Sequence, residues 1–429
     1  QAGDWNTNLS GATYVAYLFA HDEPVFGTDE NESIIKCGSF TTDGSSNATV
    51  DLGWEPQWLL AKRNEAGEPW VIADDMRGWT AGGNGSFPRL EPDTSDAEAN
   101  TPSWFGPTST GFVTGGNVGA NKTYIYMAIR RPHKPPEAAT DVFALSEYAN
   151  GETSVGFVPD TNISKWPDGG QPWFWHTRLT GSATLSSDST SGESALTFNW
   201  DSPTGTIDAL SAPYNGFYVN YVFRRAPGFF DVVAYTGTGS NQSINHNLEV
   251  APELIICKVR STSDAWFVYA APLGATKQIR FDNSPSSTVN ATYWQETTPT
   301  DTQFFVGSET GVNRSSNTFI AYLFATLPGI SKVGSYAGTG SDINVDCGFT
   351  AGARFVLIKR SDSTGDWYIW DTARGIVSGN DPYLLITSTL PEVTSTDYID
   401  PLNAGFTVTS SAPAALNDSG GTYLFLAIA

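Results

Sequence analysis

Apolar and polar residues alternate along this chain in short runs, and the runs repeat. The stretch "GATYVAYLFA" (11–20) returns in altered form as "KTYIYMAIR" (122–130), "GFYVNYVFR" (216–224), "NTFIAYLFA" (317–325) and "GTYLFLAIA" (421–429). A period of two over so few residues predicts strands with one buried face. The aromatic residue near the start of each run, Tyr14, Tyr124, Tyr218, Phe319 and Tyr423, recurs after 110, 94, 101 and 104 residues. That interval is the length of one small β-domain rather than one rung of a solenoid.

The beginning of each unit recurs too. "VVAYTGTGSNQSINHNLEVAPELIICKVR" (232–260) lies beside "KVGSYAGTGSDINVDCGFTAGARFVLIKR" (332–360), with a looser match in "IKCGSFTTDGSSNATVDLGWEPQWLLAKR" (35–63). "TGTGS", "AGTGS" and "TTDGS" carry the glycines that close hairpins. A strand with an aligned tryptophan follows at Trp70, Trp266 and Trp367, most simply a core anchor. The pattern predicts an all-β protein of tandem antiparallel β-sandwich modules, each of six to eight short strands with one face buried. The units span 33–131, 141–226, 230–326 and 331–429. Residues 1–20 read as the closing strand of an incomplete upstream repeat. An unpaired apolar strand of this kind seeks a ladder in another module or another subunit. The modules are expected in series, separated by the proline-rich "RRPHKPPEAATD" (130–141) and by shorter joints at 226–229 and 326–330.

Composition agrees with the strand reading. There are 24 Phe, 17 Tyr and 14 Trp, with 42 Gly and 25 Pro for turns, and no 15-residue window has helical periodicity. The net charge of −22 argues against a nucleic-acid partner. No apolar run approaches the roughly 18 residues of a membrane helix. Cys37, Cys257 and Cys347 lie in or beside apolar runs without metal-ligand spacing, so they read as small buried thiols in a protein folded in a reducing compartment. The chain opens at Gln1 rather than Met, which fits a processed or incomplete piece of a longer array.

Catalytic signals are sparse. His21, His133, His176 and His246 form no metal-binding spacing, and neither a nucleophile elbow nor a phosphate loop is present. No cofactor, metal or catalytic residue is expected. The "GTGS" stretches at 237–240 and 338–341 lie between strands with no helix behind them and read as hairpin turns. "ADDMRG" (73–78) and "WDTARG" (370–375) share D-x-x-R-G. Asp74–Arg77 and Asp371–Arg374 read as charge pairs that staple a turn, since catalysis rarely needs tandem copies. The second unit holds "KWPDGGQPWFWHTR" (165–178), with no counterpart in the other units. Trp166, Trp173 and Trp175 with Asp168, Gln171, His176 and Arg178 make a candidate glycan-binding set, flat rings for sugar faces and polar groups for hydroxyls. The alternation in "QPWFWHT" equally fits tryptophans that face a core or a neighbouring module.

The units at 230–326 and 331–429 resemble a repeat found in large virion proteins of marine bacteriophages, especially cyanophages. The residues that carry the resemblance are "YTGTGSNQSINHNLEVAPELIICKVR", "TDTQFFVG", "NTFIAYLFA" and "SKVGSYAGTGS". The unit at 33–131 fits less tightly, and that at 141–226 departs through most of its length. The resemblance implies a non-enzymatic virion structural protein, a tail fibre, appendage or capsid decoration, built from lectin-like or jelly-roll-like β-sandwiches. It would be exposed on the particle, assembled in the host cytoplasm, partnered by other virion proteins and in reach of host-surface glycans. A homo-oligomer of closed symmetry, trimers included, is expected. The competing readings are a tail-associated glycan depolymerase and a bacterial surface adhesin or extracellular filament subunit.

Overall fold

The computed structural model describes residues 9–27, 30, 32–65, 67–82, 86–102, 104–149, 153–196, 200, 206–207 and 217–429. The chain is almost wholly antiparallel β-sheet, and each strand ladder stays within one of the four predicted units. The unit at 230–326 shows the plan. A large sheet runs in the order Phe230–Thr236, Thr318–Phe324, Leu254–Val259, Trp266–Ala270, Lys277–Arg280 and Thr288–Val289. A smaller sheet, Gln242–Asn245 with Gln303–Val306, covers one of its faces. The closing strand thus sits between the opening strand and the buried run, which is why it is apolar throughout.

The glycine turns form, but they are not the hairpins expected: the strands they join, such as Phe230–Thr236 and Gln242–Asn245, pair in different sheets, so each turn carries the chain from the large sheet to the small one. Gly239 and Gly340 hold φ of +74° and +73°, a region glycine enters without penalty. An asparagine clamps each turn: the Thr238 N–H donates to Asn313 Oδ1 at 2.8 Å, and the Thr339 N–H to Asn417 Oδ1 at 3.0 Å. Two single-turn helices, Thr310–Asn313 and Ala414–Asn417, place those asparagines.

The second unit keeps the same strand order: Phe143–Ala149, Phe217–Phe223, Thr161–Lys165, Phe174–Thr177, Ala183–Leu185 and Ser194–Ala195. Its "KWPDGGQPWFWHTR" stretch therefore has a counterpart in every sister. It is the end of the buried run, the following turn and the tryptophan strand.

Two further sequence expectations are corrected. The modules do not all lie in series, and the large sheets of units two, three and four do not leave one face to solvent. In unit three, Cys257, Phe267 and Ala321 pack inward on the small sheet. The alternate residues Ile256, Trp266 and Tyr322 enter a second core shared with units two and four. Units two, three and four thus pack large sheet against large sheet around one common interior. A void of about 20 Å³ at its centre is lined only by apolar side chains from all three units, among them Trp175, Phe281 and Leu426. Sheets buried on both faces need near-continuous apolar strands, and "LIICKV" and "FVLIKR" are such strands, each buried along its whole length.

Unit one has the same large sheet, Ile35–Thr41, Thr123–Arg130, Pro56–Arg63 and Trp70–Asp74, and a small sheet beneath it. It stands outside the group of three. Leu59, Ala61, Val71 and Ala73 are buried against its small sheet, whereas the opposite face is only half-buried. Residues 9–20 make no sheet pairing, and Val15, Tyr17 and Leu18 are exposed. The part of the proposed upstream strand at 1–8 lies outside the described residues.

Candidate functional site

The seven residues of the candidate glycan set do not share a surface. Trp173, Trp175, His176 and Arg178 are buried, Trp166, which packs beside Phe174 and Trp200, and Gln171 are half-buried, and Asp168 is exposed. Trp175 packs among Trp266, Tyr322 and Phe281 of unit three, with ring centroids 5.2, 5.0 and 5.6 Å away. Its faces are occupied by protein, so it is no platform for a sugar ring. Burial holds His176 neutral by pushing its pKa down to about 3. Arg178 donates to the carbonyls of Pro159, Trp200 and, across a module boundary, Asp75. Packing against a neighbouring module, the second of the two sequence readings, is what the structure shows for Trp173 and Trp175.

What the stretch does build is a joint that occurs three times. Lys165, Lys258 and Lys359 are the last or next-to-last residues of the buried strands of units two, three and four, and Trp173, Trp266 and Trp367 stand eight residues on in each case. Each lysine reaches a backbone carbonyl of the neighbouring unit. Lys165 Nζ donates to Thr389 O at 2.9 Å, Lys258 Nζ to Thr190 O at 2.8 Å and Lys359 Nζ to Ser284 O at 2.8 Å. Each also donates to a carbonyl six residues ahead, those of Gln171, Asp264 and Gly365. Each tryptophan repeats the crossing. Trp173 Nε1 donates to Leu385 O at 2.9 Å, Trp266 Nε1 to Ser186 O at 3.1 Å and Trp367 Nε1 to Arg280 O at 2.8 Å. A backbone bond completes each joint: the N–H groups of Glu392, Glu193 and Ser287 donate to the carbonyls of Pro167, Arg260 and Ser361.

Unit two leans on four, three on two and four on three, so the set closes as a ring with approximate threefold symmetry. Within each acceptor turn the tryptophan acceptor (Ser186, Arg280 or Leu385) precedes the lysine acceptor (Thr190, Ser284 or Thr389) by four residues. Burial pulls the pKa of each lysine down to about 8. The surrounding carbonyls work against that pull, because they accept best from the charged ammonium.

Unit one docks on the ring through a buried ionic cluster. Arg225 makes a two-pronged pair with Glu55 at 2.7 and 2.8 Å, and its Nε donates to Asp160 Oδ1 at 3.2 Å. Asp231 lies 3.8 Å from Arg225, and Arg131 lies 3.8 Å from Asp160. Glu55 and Arg131 come from unit one, Asp160 and Arg225 from unit two, and Asp231 from unit three. Nearby Asp75 has its pKa raised to about 6, chiefly by burial. A cleft of about 240 Å³ opens beside this cluster, lined by residues that include Gln57, Asp75, Arg131 and Arg224.

The remaining candidates resolve as structure. Asp74 and Asp371 each accept from the backbone N–H and Nε of the arginine three residues on, Arg77 and Arg374, stapling a turn as expected. All three cysteines are free; Cys257 and Cys347 are buried and Cys37 is half-buried. Among the described residues no cluster of His, Cys, Asp and Glu could hold a metal ion, and no helix is long and apolar enough to cross a membrane. The lysine–tryptophan spacing was the missed signal. It stands in all four units, at Lys62 and Trp70 as well, and it would have aligned unit two with its sisters.

Fold and joints together define a multi-module β-sandwich protein whose buried polar side chains hold module to module. The chain belongs to the family of the domain of unknown function DUF7483, whose sequence pattern matches residues 2–132 and 180–429. A search of curated proteins finds no match.

Proposed function

We propose that this chain is a non-enzymatic structural protein of a bacteriophage particle, displayed on its surface as a tail fibre, an appendage or a capsid decoration. Host-surface glycans are the ligand class it would meet there. The observation that carries the reading is the closed ring of joints. The buried Lys165, Lys258 and Lys359, the tryptophans Trp173, Trp266 and Trp367, and Arg225 are engaged with backbone carbonyls and carboxylates of adjoining modules. Such a body is stiff because each module is held on two sides, as a particle component under mechanical stress requires. The resemblance of units three and four to repeats of marine phage virion proteins supplies the setting. Free, buried Cys257 and Cys347 fit assembly in a reducing cytoplasm.

Immunogold electron microscopy of purified particles and uninfected host cells, with antibody raised against the whole chain, tests this reading. Label on particles is the expected result. Label on uninfected cells with bare particles would leave a bacterial adhesin. Release of reducing sugar from host envelope polysaccharide by the purified chain would replace the structural reading with a depolymerase.

A further inference from the structure

Unit one carries every part of the joint that closes the ring, yet it is not in the ring. Lys62 and Trp70 stand eight residues apart, as in the sisters. The Trp70 backbone N–H donates to Asp93 Oδ1 at 3.0 Å, as that of Trp173 donates to Asp188 Oδ1 at 2.8 Å. The acceptor turn is present as well. The Thr94 N–H bonds the Glu91 carbonyl at 3.1 Å, as Ser189 bonds Ser186 and Ser388 bonds Leu385, both at 3.2 Å. Strand register equates Leu90 with Ile279, because they pair with Ile72 and Val268. It equates Ile125 with Ile320, because they pair with Lys62 and Lys258.

Only the neighbour is missing. Among the described residues, Lys62 Nζ donates to its own unit's Glu68 carbonyl alone, and Trp70 Nε1 has no acceptor. The sheet face that the sisters bury against one another is open here. Leu90 is 38% and Ile125 43% exposed, whereas Ile279 and Ile320 are both 0%. Leu60, Trp70, Ile72 and Met127 on the same face are half-buried. Residues 21 and 22 bond along the edge of the opening strand, the Cys37 N–H to His21 Nδ1 and the Asp22 N–H to the Ile35 carbonyl.

We propose that this face binds the same face of two further copies of the chain, so that three first units close a second ring with true threefold symmetry. A head-to-tail contact forms a finite assembly only if its rotation closes, and units two, three and four show that this contact closes after three. In the assembled ring Trp70 of each copy donates to the Glu91 carbonyl of the next, and Lys62 to the Ser95 carbonyl. The Glu98 N–H meets the Asn64 carbonyl in return. The proposal does not depend on the phage reading.

Light scattering of the purified 429-residue chain across a concentration series tests it. The expected mass is three times the 46.1 kDa of one chain. Ile125→Glu puts a charge at a position exposed in a single copy, so the variant folds, with the unfolding profile of units two to four retained, but it runs as a monomer. The Cys37 thiol, on the same face, reacts slowly with a thiol reagent in the trimer and quickly in I125E. A monomer at every concentration overturns the proposal and gives the face to a different partner. A dimer overturns it in favour of a twofold contact. A trimer that I125E leaves intact places the interface elsewhere and also overturns it.

Discussion

Replacing Trp266 by alanine isolates the energetic weight of one ring joint. Trp266 is fully buried, 5.2 Å from the Trp175 ring and 6.2 Å from Phe281. Its loss leaves a cavity on an inter-module face that two rigid sheets cannot close by collapse, which costs roughly 3–5 kcal/mol. Trp266 Nε1 also serves the Ser189 carbonyl at 3.1 Å, and the loss of that donor adds about 1–3 kcal/mol. The sum is roughly 4–8 kcal/mol, comparable with the whole stability of a typical domain at about 5–15 kcal/mol. The effect should appear on both sides of the joint. Hydrogen exchange should speed up in Leu254–Val259 and in Ala183–Leu185, while Pro56–Arg63 in unit one keeps its protection. Trp70→Ala, made in the monomeric I125E background where Trp70 is only half-buried, should cost less than half as much. Denaturant titration and exchange mass spectrometry give both readings. A Trp266→Ala cost below about 0.5 kcal/mol, within the range of an ordinary surface change, would refute the reasoning. So would an equal cost for Trp70→Ala in that background.

Arg225→Met would strand Glu55, Asp160 and Asp231 without their shared cation. The expected loss is about 3–5 kcal/mol, read by thermal unfolding, with faster proteolysis in the 131–141 connection as unit one loosens. Burial raises the pKa of Asp381 to about 7. The folded chain therefore holds a proton there that the unfolded chain has released, and this contribution is complete below the unfolded value of about 4 and lost as pH rises through 7. Asp381→Asn should accordingly gain stability relative to the parent between pH 4 and pH 8; a constant difference in melting temperature over that range would contradict this. Burial pushes the Cys257 and Cys347 thiols up to about 12, so both should react with a thiol reagent only at the rate of unfolding. Rapid labelling of either in the folded protein would show that the interior opens.

Much of each module was written in local pattern. Alternation marked the strands, glycines marked the turns, and the D-x-x-R-G pairs declared the staples at Asp74 and Asp371. These features depend on residues close in sequence or on ladders inside one unit, so a repeated pattern exposes them. The aligned tryptophans were read as anchors; Trp266 and Trp367 are buried as that reading requires, whereas Trp70 is only half-buried. The core they anchor is not that of their own module. A period of two says that a residue points away from its neighbours; it does not say whether the second face of a sheet meets water or another sheet.

That second face was decided by tertiary structure alone. Trp173 and Trp175 could serve a ligand or a core on chemistry alone, and the arrival of units three and four over their sheet settled the matter. The buried lysines are less legible still, since Lys165, Lys258 and Lys359 look like ordinary strand-ending cations. Their partners are backbone carbonyls, which every residue carries and no side chain announces. Sequence by itself determined the modules, their strands and their turns, because those follow from local geometry and burial within about 100 residues. The closed ring, the ionic dock of unit one and the open face at Leu90 and Ile125 belong to the tertiary structure. They depend on which apolar faces meet across distances that no local pattern records.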